Sequence, residues 1–172
     1  MPDWTREIDG LASADAEARF SGLVALRRVL EAGDVNDESG RAALVKRVLR
    51  LAGDPNERPQ TAQLGLKLAG RFGGFAAVPV LVARTEPATE EWPLRQEAAR
   101  ALAKFPVPIA HAALIRLIER DGEMIVRQEA AKSLGECGNE DCIAALVAAV
   151  RGCPDESVRY AACMSLQKLT GE

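Results

Sequence analysis

Few residues in this chain have the type and spacing to do chemistry, and the most regular of them are acid–arginine pairs four residues apart. They are Asp54/Arg58, Glu91/Arg95, Glu123/Arg127 and Asp155/Arg159. Across a helix start, that spacing lets the carboxylate cap free N–H groups while the arginine reaches it or the acid of the next segment. The row reads either as an anion-binding surface or as a structural ladder stitching successive segments together, and the ladder is the reading adopted.

Catalytic kits are otherwise missing. The chain has one histidine, His111, and no G-x-S-x-G, H-E-x-x-H or phosphate-loop pattern. The carboxylate pairs Glu90-Glu91 and Glu140-Asp141 stand at helix starts, where acids are expected. Cys137, Cys142, Cys153 and Cys163 lack the paired C-x-x-C spacing of a zinc site. A helix over 140–151 would be about 17 Å long, leaving Cys137 and Cys153 at opposite ends and unable to share a metal. Cys142 and Cys163 take repeat positions held elsewhere by Ala110 and by Ala99 and Ala131, small interior slots that suit a reduced thiol. No catalytic residue, cofactor or metal site is assigned, and the chain is not expected to be an enzyme.

The elements that carry these residues follow from the apolar spacing. Phe20, Leu23, Val24, Leu26 and Leu30 make a helical stripe that opens near a Ser13 cap and ends at Gly33-Asp34. Leu44, Val45, Val48, Leu49 and Leu51 make the next, stopped by Gly53-Asp54-Pro55. The same reasoning predicts helices over 14–32, 38–52, 57–72, 75–84, 91–104, 107–120, 124–136, 140–151 and 155–169. Residues 1–10 add a further capping turn or helix, and 85–90 a surface loop. Trp92, which precedes Pro93 at a helix opening, is expected to be buried; Trp4 reads as either an anchor or an exposed contact.

One phrase recurs within this pattern. Leu94-Arg95-Gln96-Glu97-Ala98-Ala99-Arg100-Ala101-Leu102 returns 32 residues later as Val126-Arg127-Gln128-Glu129-Ala130-Ala131-Lys132-Ser133-Leu134, and again, looser, from Val158 to Leu166. A fixed period of this length marks stacked helix pairs, each too small to bury its own face alone. The pairs are 14–32 with 38–52, 57–72 with 75–84, 91–104 with 107–120, and 124–136 with 140–151. Helix 155–169 is left over as a cap or an exposed docking end. The expectation is one all-α domain over 1–172, irregular over 14–85 and regular over 91–170. Hydrophobic residues make up 48% of the 172 and aromatics only 4%, so the core must be aliphatic and closely packed.

The phrase Val126 to Gly135 resembles the signature of HEAT repeats, most closely the short HEAT-like class found in phycobilisome lyases and many bacterial proteins of assorted function. The resemblance implies a right-handed α-solenoid of about four to five antiparallel helix pairs, its second helices lining a concave groove. Gly65 and Gly70 depart from the repeat and suggest an irregular or bent second pair.

The groove is the candidate binding surface by that implied geometry. Aligning the second helices on Leu44, Leu81, Leu114 and Leu146 puts Val45, Val82, Ile115 and Val147 in one row. Lys46, Ala83, Arg116 and Ala148 form the neighbouring row. Arg41, Arg47 and Arg50, with only Glu38 against them, make the first of these helices basic, whereas Ile143 and Val147 make the last apolar. His111 is placed on the groove side beside Ile115 and Arg116 as a surface residue. The gradient suits a protein partner that is acidic and partly apolar; alternatively, the apolar row is core between repeats and the basic cluster a solvated face.

The leading reading is therefore a scaffold or adaptor that binds a polypeptide. Two alternatives come from the resemblance: a lyase-associated or chaperone-like protein acting on a cofactor-bearing protein, and a nucleic-acid binder. Net charge −3, pI about 5.4 and scarce aromatics oppose nucleic acid. No apolar run approaches the roughly 20 residues of a membrane span, and the polar start Met1 to Glu7 has no signal-peptide core. The expected location is the cytoplasm, and the oligomeric state is left open.

Overall fold

A computed structural model describes residues 9–33, 38–86 and 91–171. The expectations for Trp4 and for most of 1–10 and 85–90 lie outside those residues. Among the described residues every regular element is helical. Nine α-helices run in order: α1 (Ala16–Ala32), α2 (Glu38–Gly53), α3 (Pro59–Phe72), α4 (Val78–Ala83), α5 (Trp92–Leu102), α6 (Pro108–Arg120), α7 (Met124–Cys137), α8 (Glu140–Gly152) and α9 (Glu156–Thr170). Short 3-10 turns at Gly10–Ala12 and Gly74–Ala77 precede α1 and α4. The described residues fall into two compact units, divided between Val80 and Leu81.

Local chemistry explains the boundaries. Asp15, not Ser13, caps α1: its carboxylate accepts from the amides of Glu17 and Ala18, which a serine two residues further out cannot reach. Prolines open α3 and α6 at Pro59 and Pro108, where their missing N–H costs nothing. Gly33 closes α1 in the left-handed region at φ 73°, a conformation glycine takes without a side-chain penalty. At 85 the expected surface loop starts as a buried turn, Thr85 donating its hydroxyl to the Val82 carbonyl at 2.7 Å.

In the first unit α3 packs most extensively on α2 and next on α1. Gly65 makes this possible: a Cβ there would lie 3.2 Å from the backbone of Ala52. The helix is unbroken from Pro59 to Phe72, so the two glycines do not bend it. Gly65 is a contact point, and Gly70, five residues on, is buried.

In the second unit α7 is central, packing on α5, α6 and α9, and α8 packs on α9. Ala98, Ala99, Ala130, Ala131 and Ala162 are fully buried, as closely approaching helix axes require. At the α7–α9 crossing, a Cβ on Gly135 would lie 2.4 Å from Ser165 Oγ. Ser165 donates that hydroxyl to the Ala131 carbonyl at 2.8 Å, so the close approach also satisfies a buried polar group. Helix α9, left over by the sequence pairing, is thus tightly seated on two neighbours. The most extensive packing joins two first helices, α7 with α9; next come the second helix of one repeat and the first of the next, α2 with α3, α8 with α9 and α6 with α7, whereas α7 approaches α8 far less.

Candidate protein-binding surfaces and the arginine ladder

The ladder arginines are held by the helix starts. Arg19, Arg127 and Arg159 each turn one guanidinium nitrogen back to carbonyls five or six residues earlier: Ser13 and Ala14, Asp121, and Cys153 and Pro154. For Arg19, Arg95 and Arg127 the fork also reaches a carboxylate in the turn that opens the next repeat. Arg19 binds Glu57 through Nε at 2.6 Å and NH2 at 3.0 Å. Arg95 binds Asp121 at 2.7 and 2.9 Å, and Arg127 binds Asp155. Sequence reading missed Arg19, Glu57 and Asp121; the signal was a carboxylate anywhere in the turn, not one at a fixed spacing.

The expected acids behave differently. Glu91, Glu123 and Asp155 stand at N-cap positions, yet none of their side chains makes a cap hydrogen bond. Their backbone carbonyls instead accept from the amides of Arg95, Arg127 and Arg159. Asp54 accepts from the amide of Asn56, and Arg58 reaches the exposed Glu17 at 3.5 Å. Glu57 carries opposing influences: its burial favours the neutral acid, but the Arg19 fork and the Arg58 amide outweigh it and hold the carboxyl below its ordinary value. On Arg127 burial works against the charge, and the bond to and charge of Asp155, with Cys153, together outweigh it and raise the guanidinium.

His111 is not on a surface. It is buried on α6, and its Nε2–H donates to the Cys137 carbonyl at the end of α7, 2.7 Å away. A carbonyl only accepts, so the imidazole acts as a C-terminal cap between two helices. Arg116 is likewise committed, binding Glu86 at 2.7 Å and Thr85 Oγ1 at 3.1 Å. Trp92 is 42% exposed, contrary to the expected burial, because it stands on the outward side of the first turn of α5. Cys142 is buried as expected, but Cys163 is exposed on α9. Burial pushes the Cys137 thiol up to about 12, so it stays protonated.

The second helices show graded exposure. Leu44, Leu81, Leu114 and Leu146 are buried, Val45, Val82, Ile115 and Val147 half-buried, and Lys46, Ala83 and Ala148 exposed. Ile143 is half-buried at the start of α8. In the first unit a cleft of about 420 Å³ runs along α2, lined by Arg41, Val45, Lys46 and Leu49 with Phe72 opposite. Arg47 and Arg50 are exposed on α2 but do not line it.

Residues 78–167 match the family of HEAT repeats. The chain belongs to the HEAT-repeat family. No curated protein matches it. Among solved structures it is similar to a chain of the complex of CpcE and CpcF of phycocyanin lyase from Nostoc sp. PCC7120, with 20% identity and a TM-score of 0.71. That match takes in all of the present chain and 66% of the other, just under two thirds of its length. At this identity the likeness carries the HEAT α-solenoid fold and not an activity.

Among the described residues no group of three potential metal ligands comes together, and no helix is long and apolar enough to cross a membrane.

Proposed function

We propose that this HEAT-repeat protein is a non-catalytic scaffold that holds an acidic, partly apolar polypeptide on its second-helix faces. The observation that carries this is the α2 cleft, where Val45 and Leu49 form an apolar floor between exposed Arg41 and Lys46. An extended or helical segment with apolar anchors and flanking carboxylates fits such a surface. In the second unit Ile115, Ile143 and Val147 offer apolar contact, whereas His111 and Arg116 are spent on internal bonds.

The test is affinity purification with mass spectrometry, comparing wild type with two double charge reversals. Arg41→Glu with Lys46→Glu should lose the partner; Arg47→Glu with Arg50→Glu, off the cleft, should lose much less. A partner retained equally by both would reject the cleft.

The likeness to a lyase-complex chain supports a second reading, in which the scaffold acts on a cofactor-bearing protein. Mixing it with bilin and an apo-phycobiliprotein would then change the visible spectrum, and an unchanged spectrum would set this reading aside.

A further inference from the structure

The first turns of α5 and α7 leave large apolar side chains in water that the stacking does not require. Trp92 and Met124 are each 42% exposed and Ile125 37%. The three are neighbours. Arg95, near the start of α5, meets Asp121 just ahead of α7, so the two helices open on the same edge. Gln96 on α5 reaches Glu129 on α7 at 3.4 Å, and one helical turn earlier on each helix stand Trp92 and Ile125. Met124 accepts the Ser157 hydroxyl of α9 at 2.9 Å. Helix α7 is therefore packed by α5 and α9, and its first turn stays exposed between them. The repeat itself asks for no apolar residue here: after the corresponding acids Asp15 and Asp155 the chain has Ala16-Glu17 and Glu156-Ser157.

The border of this patch is acidic. Glu91 and Glu123, which immediately precede Trp92 and Met124, are exposed. Neither side chain caps its helix or makes an ion pair among the described residues. Glu156 is exposed at the start of α9. The nearby cations are directed elsewhere: Arg95 to Asp121, Arg127 to Asp155, and Arg120 to the cleft between α6 and α8 that it lines.

We infer that this edge is a second protein-binding surface, and that its occupant is a polypeptide segment with apolar side chains flanked by lysine or arginine. A tryptophan beside aliphatic side chains supplies the anchor, and exposed carboxylates around it select the sign of the partner's charge. The α2 cleft has the opposite sign, with Arg41 and Lys46 beside Val45 and Leu49. The two surfaces share no residue, so the inference stands apart from what the cleft holds. Together they let one chain join two polypeptides of opposite charge.

Trp4 and Trp92 are the two tryptophans of the chain, so Trp4→Phe leaves the fluorescence of Trp92 as a reporter of the edge itself. The probe is a synthetic amphipathic helix of leucine and lysine, with its leucine–glutamate counterpart as control. Titrated into the Trp4→Phe protein, the lysine peptide should shift the emission to the blue and saturate, and the glutamate peptide should leave it unchanged. Adding Glu91→Lys with Glu123→Lys should exchange the two responses. Ile125→Ser should weaken binding by roughly tenfold with unchanged circular dichroism. Arg41→Glu with Lys46→Glu, on the α2 cleft, should leave the response of Trp92 as it was, which separates a failure here from a failure of the cleft. No shift with the lysine peptide, equal shifts with both peptides, or a charge-reversed edge that keeps its preference for lysine would each overturn the inference.

Discussion

Arg95 and Asp121 are 8% and 0% exposed at their side chains and meet through two hydrogen bonds. Removing either partner takes a two-bonded charged pair out of a buried site, which costs about 3–5 kcal/mol. Asp121→Ala should therefore lower the denaturation midpoint sharply. The double change Arg95→Met with Asp121→Leu should cost less than either single change, and a double-mutant cycle by urea unfolding checks this. Arg127 with Asp155 is more exposed, 16% and 30%, so Arg127→Ala should cost only about 1 kcal/mol. Glu57 adds a pH dependence. Its carboxyl is held below the ordinary value, so its contribution is complete above the unfolded value near 4.5 and is lost as pH falls through the folded one. Glu57→Gln should be less stable than wild type at neutral pH and show a flatter loss of stability between about pH 5 and pH 3.

At the scale of the element, helix contacts rest on particular small residues. Gly135→Ala would push a Cβ into Ser165 and should cost about 1–3 kcal/mol by overpacking. Ser165→Gly in the same chain should recover part of that loss, and thermal melts of the singles and the double measure it. Most helix boundaries were legible in the sequence because caps, prolines and apolar stripes act locally: Pro59, Pro108 and Gly33 do what their chemistry predicts. What was not legible depends on a neighbour that the local pattern does not name. Gly65 looked like a break in the repeat and is where Ala52 approaches. His111 looked like a surface residue because its partner is a backbone carbonyl 26 residues on, and carbonyls leave no trace in side-chain patterns.

For the whole molecule, the period of 32 residues announced the HEAT architecture, since identical spacing must place identical residues in identical surroundings. The candidate binding face was partly legible. The α2 basic residues are exposed and the aligned apolar row is half-buried, but periodicity could not show that Arg41 and Lys46 border a cleft while Arg47 and Arg50 do not. Nor could a fixed acid spacing find the ladder, because Glu57, Asp121 and Asp155 sit at three different distances from the next arginine.

The close pairing of α2 with α3, α6 with α7 and α8 with α9 has a bearing on how such a chain could grow or shrink. The spelling of the repeat starts at the first helix of each pair, but the piece that holds together starts half a period earlier. A duplication or deletion that moved 38–72, 108–137 or 140–170 as a block would keep these pairs together, although moving 140–170 would still part α9 from α7. One cut at the start of the recurring phrase would part α8 from α9 and leave both halves with bare apolar faces. Offset blocks therefore keep neighbouring helix pairs whole at the cost of the contact between first helices.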